Sequence, residues 1–256
     1  MIPPRELIIC GGGYSIKEYL PQLKEKLTNK FVISLNKSIE VFPTSTFLSC
    51  VDIETFYKTY TSELQKYPLI ICRDFEDKSK NKLVNSVFLK TVEKFDRTLK
   101  TGVYGSYLAG LFALSLAIYL INEGNVYLLG FDGGSISSDL EDVTNKLDSI
   151  NAKSKQRCII QKDDKYYRRY SHFYQGQIEH RGIGKVDFYT KNNKINRVFA
   201  PFVEETQCKI YNVSPQSNLI VFSKIDYTTM FAQMNNVVYN QDELRHWVLK
   251  RIGEVR

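Results

Sequence analysis

The stretch that most constrains the fold is KTGVYGSYLAGLFALSLAIYLINEGNVYLLGFDGG, residues 100–134. From Leu108 to Ile121 it is apolar on every helical face, the mark of a helix buried on all sides. The pattern predicts a helix from about Val103 to Asn122, entered through Lys100-Thr101-Gly102. Glu123-Gly124-Asn125 would stop it, since glycine commonly stands just past a helix end. Val126-Tyr-Leu-Leu-Gly130 reads as a fully buried strand with Phe131-Asp132-Gly133-Gly134 at its carboxyl end. In open α/β sheets ligands bind beyond the carboxyl ends of strands and at helix N-termini, so both ends of this unit are candidate site positions.

The chain before it repeats the theme. Glu6-Leu-Ile-Ile-Cys10 is a short apolar run, followed by Gly11-Gly12-Gly13-Tyr14-Ser15 and an amphipathic stretch from Ile16 to Leu27. That is strand, glycine turn, helix. The glycines permit a tight turn and let a phosphate approach the backbone, and Ser15 can cap the helix; the same residues also suit a plain structural turn. The spacing is not GxGxxG, and no acidic residue closes the next strand about 20 residues on, which argues against a dinucleotide fingerprint. Strands over Phe31–Leu35, Thr46–Cys50 and Pro68–Cys72 would deliver Asn36, Asp52 and Arg73-Asp74, with a helix from Asp52 to about Lys66 and an amphipathic stretch over Leu83–Phe95. Strands alternating with helices predict an α/β fold, one domain over residues 1–256, with a mostly parallel sheet flanked by helices. Asn36, Asp52, Arg73 and Asp132 would line one sheet edge.

After Gly134 the character changes. Ser135 to Lys165 is polar, with few large apolar residues outside Leu140, Leu147 and Cys158-Ile-Ile160, and reads as a solvated insertion or a lid over the site, spanning 133–171. Such a segment cannot build a core alone and is expected to gain order over a bound ligand. Lys185–Thr190 and Lys194–Phe199 flank Lys191-Asn-Asn193 as a hairpin. A short helix over Val203–Gln207, a last strand over Lys209–Val213 and a helix over Gln241–Arg251 complete the chain.

Composition sets bounds. The 256 residues are 43% hydrophobic and 25% charged, ordinary for a globular protein that buries a core. No uninterrupted apolar run reaches about 18 residues, and the start, MIPPRELII, enters a strand without signal-peptide shape. Five cysteines without CxxC spacing suggest free thiols in a reducing compartment, hence the cytoplasm. A net charge of +7 favours phosphorylated or polyanionic partners without naming one. Nucleic acid, peripheral membrane association and a homo-oligomer stay open.

Few residues can carry chemistry. Of three histidines, His246 sits beside Trp247 in the terminal helix and reads as surface or packing. His172 and His180 lie close together after the lid-like insertion, and histidine suits a general base near neutral pH. On one helix, eight residues turn through about 80°, so the two need not point the same way. Tyr166, Tyr167, Arg168, Arg169 and Tyr170 offer cationic and neutral donors for a departing phosphate, or form a solvated strand edge. No His/Cys cluster has zinc spacing, and one Asp52-Ile53-Glu54 is weak support for Mn²⁺ or Mg²⁺. No cofactor is called for. GxSxG, P-loop and kinase signatures are absent.

Taken in order, the strand–glycine turn–Ser15, Asn36, Thr101-Gly-Val-Tyr, Leu129-Gly-Phe-Asp132, Ser171-His-Phe-Tyr and Tyr211-Asn-Val-Ser-Pro-Gln-Ser217 resemble the bacterial family 42 sialyltransferases. That resemblance implies a variant nucleotide-sugar transferase fold, CMP-sialic acid or a similar donor, inversion at the anomeric carbon, a glycan or other hydroxyl acceptor, and no metal. It places Gly11, Gly12, Gly13, Ser15, Asn36, Asp52, Thr101, Gly102, Gly130, Phe131, Asp132, Pro215 and Ser217 around the nucleotide, a lid histidine as base and lid tyrosines beside the departing phosphate. The sequence departs from the family pattern: Gly12 and Tyr14 stand where Asn and Pro are usual, Asp52 where Asn is, Gly134 where a lid Tyr is, and Gly176 where the base His is. The motility-accessory glycosyltransferases, and the Mg²⁺-dependent pterin pyrophosphokinases, look similar at the strand–glycine turn. A pyrophosphokinase, or a non-catalytic nucleotide- or nucleic-acid-binding module, is the alternative reading.

Overall fold

Period-two alternation builds the sheet. In the computed structural model, which describes residues 3–51, 65–74, 85–105, 108–132, 158–162, 165–169, 194–214, 217 and 219–255, strand β1 spans Glu6–Cys10. Its Leu7 and Ile9 join one buried cluster, Ile8 and Cys10 another. On one side of β1 lie β2 (Val32–Leu35), β3 (Phe47–Cys50), β4 (Ile70–Arg73) and β5 (Ser86–Leu89). On the other lie β8 (Glu123–Leu129), β11 (Gln207–Asn212) and β12 (Ser223–Lys224). Among the described residues the order is β12-β11-β8-β1-β2-β3-β4-β5, eight strands with every pairing parallel. All carboxyl ends therefore share one edge, and the chain reverses its direction of progress between β1 and β8. Burial on both faces explains why these strands read as continuous apolar runs.

Helix α2 (Ala109–Ile121) is buried from Leu111 to Ile121. It belongs to one cluster with Leu7, Ile33 and Leu128 of the sheet and with Leu244, Val248 and Ile252 of the terminal helix α6 (Gln241–Gly253). Burying each large side chain of this kind is worth about 1.5–3 kcal/mol, and α2 buries every residue from Leu111 to Ile121. The opposite layer is a 3-10 turn (Tyr14–Tyr19), α1 (Leu20–Lys26) and α5 (Tyr227–Gln233), which contribute Ile16, Leu23, Tyr227 and Met230.

Four sequence expectations change. Val103-Tyr104 is not the first turn of α2 but a short strand, β7, parallel to β6 (Thr91–Val92), and the helix begins at Ala109. Asn122, not Gly124, closes the helix in a left-handed conformation (φ 59°), its N–H bonded to the Ile118 carbonyl, and β8 starts at once at Glu123. The Leu83–Phe95 stretch holds strands β5 and β6, with Val87 and Leu89 inward. Lys194–Phe199 is not a hairpin limb but helix α3, followed by α4 (Pro201–Glu204), with Gln207 already in β11. The remainder of that hairpin, 185–193, lies outside the described residues. Cys10, Cys50, Cys72 and Cys208 are buried free thiols. No helix among the described residues is long and apolar enough to cross a membrane.

Candidate functional site

The crevice between the ends of β1 and β8 is the place where an open parallel sheet binds ligands. Here the chain itself closes it. The Gly11 N–H donates to the Leu129 carbonyl at 2.8 Å and the Gly13 N–H to the Gly130 carbonyl at 2.9 Å, so the glycine turn lies down on the end of β8. Only glycine allows this approach at position 13: a Cβ there would stand 2.4 Å from the Gly130 oxygen and 2.6 Å from the Asp132 carboxyl carbon. Of the amides of Gly11, Gly12 and Gly13, that of Gly12 alone has no acceptor among the described residues. The turn is thus no open phosphate cradle.

Asp132 fastens the turn. It is 5% exposed. Its Oδ2 accepts the Ser15 N–H at 3.0 Å and its Oδ1 the Ser15 hydroxyl at 2.5 Å, so both carboxyl oxygens are engaged within the protein. The Ser15 Oγ also lies 2.8 Å from the Ser214 Oγ, just past β11. Beneath them the Tyr227 ring stacks on Tyr19 at 4.2 Å. Its buried hydroxyl sits beside Ser15 and Asp132, outside hydrogen-bond geometry, and burial pushes the phenol far above its ordinary range, with the Ser15 contact opposing. It therefore remains an O–H.

Two flanks continue this edge. On the β2 side Asn36 adopts a left-handed conformation (φ 49°), which Asn tolerates, and its buried Oδ1 has no partner among the described residues. The Ser38 hydroxyl donates to the Gly11 carbonyl at 2.8 Å. On the β11 side the Ser217 hydroxyl donates to the Phe131 carbonyl at 2.6 Å, and the Asn212 amide donates to the Phe131 and Leu219 carbonyls. The Phe131 ring itself is core. It covers Gly110 in the first turn of α2 and meets Phe199 edge-on at 6.3 Å.

The structure thus gathers Gly11, Gly12, Gly13, Ser15, Asn36, Gly130, Phe131, Asp132 and Ser217 on one edge. It does not bring Thr101 and Gly102 to them by any hydrogen bond among the described residues. Gly102 (φ 138°) instead packs on the Lys90 carbonyl, 2.8 Å from where its Cβ would be. Asp52, Glu54, Tyr170, His172, His180 and Pro215 lie outside the described residues. Tyr166, Tyr167, Arg168 and Arg169 stand on β10 (Lys165–Arg169), antiparallel to β9 (Cys158–Lys162). Among the described residues no group of three His, Cys, Asp or Glu is placed to hold a metal ion.

Sequence reasoning missed Ser214, Ser38 and Tyr227. Ser214 carried a signal, since it directly precedes Pro215 at the end of a strand. Tyr227 carried none; it reaches Ser15 only through tertiary packing.

No family model matches the chain, and no curated protein sequence does. Among solved structures it is similar to the MAf glycosyltransferase from Magnetospirillum magneticum AMB-1, at a TM-score of 0.51 and 12% identity, over 98% of this chain and 37% of that one. At that identity the likeness is one of fold, and this chain spans little over a third of that neighbour's length.

Proposed function

We propose that the chain transfers a sugar from a nucleotide-activated donor to a hydroxyl acceptor, with the donor held on the carboxyl edge of the sheet. One observation carries the reading: the ends of β1, β8 and β11 are tied together by Ser15, Asp132 and Ser214, with Asn36 alongside, at the switch point of a fold similar to that of a glycosyltransferase. The Gly12 amide, the half-exposed Ser15 and Asn36 form the polar rim available to a donor. The motifs around 101, 129–132, 171–174 and 211–217 favour a CMP-activated, sialic-acid-like sugar and inversion.

In that chemistry the acceptor oxygen attacks the anomeric carbon as the bond to the leaving phosphate breaks, and the acceptor proton passes to a base. His172 or His180 fills that role. His172 is preferred because it keeps the Ser-His-aromatic setting. A positioned base contributes about 10²–10⁴-fold. Asp132 is the weaker candidate because both its oxygens already accept hydrogen bonds from Ser15.

A thermal-shift panel of CMP, UDP, GDP, ADP and ATP, each with EDTA or Mg²⁺, tests the reading. Stabilisation by CMP that EDTA leaves unchanged is the expected result, reaching about 2.7 kcal/mol at 100 times the Kd. A shift only with ATP and Mg²⁺ would favour the pyrophosphokinase alternative. For the base, His172→Ala or His180→Ala should lose most transfer while keeping nucleotide binding, and should move the acidic limb of the pH–rate profile. Near-parental rates in both single variants and the double variant would remove histidine from the mechanism.

A further inference from the structure

Asp132 looks, by position, like a ligand-contacting or proton-accepting carboxylate: it is the first acidic residue past the central strand, at the switch point. Its surroundings assign it another task. It is nearly inaccessible, and both oxygens are taken by one residue of the glycine turn, one by the Ser15 amide and one by the Ser15 hydroxyl. The Gly13 N–H donates to the Gly130 carbonyl two residues earlier, and any side chain at position 13 would strike that carbonyl and the carboxyl group together. Ser214 joins the same hydroxyl from the end of β11, and Tyr227 backs it from α5.

We infer that Asp132 is a positioning residue. Its carboxylate latches the glycine turn shut across the β1/β8 crevice, fixes the orientation of Ser15 and Gly12, and leaves the donor to bind on the outer rim of the turn instead of within it. In a loop held at its two ends by Gly11 and Ser15, the Gly12 amide has no acceptor among the described residues. The latch therefore sets the geometry with which the Gly12 amide meets an anionic or hydroxyl group of the nucleotide. The ligand half of this inference rests on the proposed function; the latch itself does not.

The test separates the two halves. Amide hydrogen exchange at Gly13 and Ser15 should be slow in the parent protein and at least tenfold faster in Asp132→Asn, with β2 and α2 unchanged. Should that variant not fold, Ser15→Ala serves, because it removes the hydroxyl arm alone, and Ser15→Thr should restore slow exchange. With CMP as probe, Asp132→Asn and Ser15→Ala should each raise the Kd about tenfold. The double variant should be no weaker than the worse single one, since both remove the same latch. Unchanged exchange at Ser15, or additive losses in the double variant, would overturn the latch and make Asp132 a direct contact. Failure of the parent to bind CMP would count against the proposed donor, while the exchange result would still decide the latch.

Discussion

At the scale of single residues, two glycines make room for carbonyls of their own chain. Gly13 lets the turn close on Gly130 and Asp132, so Gly13→Ala must push the turn off β8. Overpacking of this kind costs about 1–3 kcal/mol, and urea midpoints should show the loss with or without nucleotide. Gly102 is among the residues that the family resemblance places around the nucleotide. Its φ of 138° and the Lys90 carbonyl beside it strain any side chain there, so a substitution bears on the fold. Gly102→Val should lower the melting temperature without a nucleotide-specific defect; normal stability with lost nucleotide binding would restore it to the site. The sequence could not separate these roles, because a glycine looks the same whether its missing side chain makes room for a ligand or for a distant carbonyl of its own chain. Ser15, Asn36 and Asp132 were legible because each directly follows a strand or its glycine turn, and the parallel topology carries such residues to one edge. Tyr227 was not, since nothing local links it to Ser15.

At the scale of elements, strong local patterns were reliable where burial and period agreed. β1 spans the residues its apolar run predicted, and α2 is buried all round, as an apolar stretch without a polar face requires. Leu116→Ala in its middle should cost about 2–5 kcal/mol, measured by denaturant unfolding, because the sheet cannot follow the retreating side chain. The start of α2 was misread because Val103 and Tyr104 suit helix and strand alike. Their pairing with Thr91 and Val92 is a tertiary choice. The same holds for Lys194–Phe199, whose alternating look hid a helix that buries Ile195 and Phe199. The terminal helix obeys its caps: Asn240 accepts from the Asp242 and Glu243 amides, so Asn240→Ala should cost about 1 kcal/mol.

At the scale of the whole molecule, the two edges of the sheet are built for different ends. The amino edge is a sealed joint, where Glu6 at the start of β1 accepts the Asn235 N–H while Lys30 is held by the Asn235 and Val237 carbonyls. Burial raises the Glu6 carboxyl above its ordinary 4.5, against the Asn235 hydrogen bond and Lys30; Tyr127 and Tyr239 face the same group. The folded state then holds that proton more tightly than the unfolded one, so stability falls as pH rises from 4.5 through the raised folded value. Glu6→Gln should lack this slope, and urea midpoints of both proteins across that window would show it. Equal slopes would mean that Glu6 titrates alike folded and unfolded. The carboxyl edge is instead a rim, with the Gly12 amide, Ser15 and Asn36 offered over a closed crevice, and a nucleotide-sugar donor is proposed to sit there. Hydrogen exchange with and without CMP addresses it most directly. Slowed exchange confined to residues 11–15, 36–38, 130–132 and 211–217 is expected; protection elsewhere with these segments unaltered would rule the donor out of this edge.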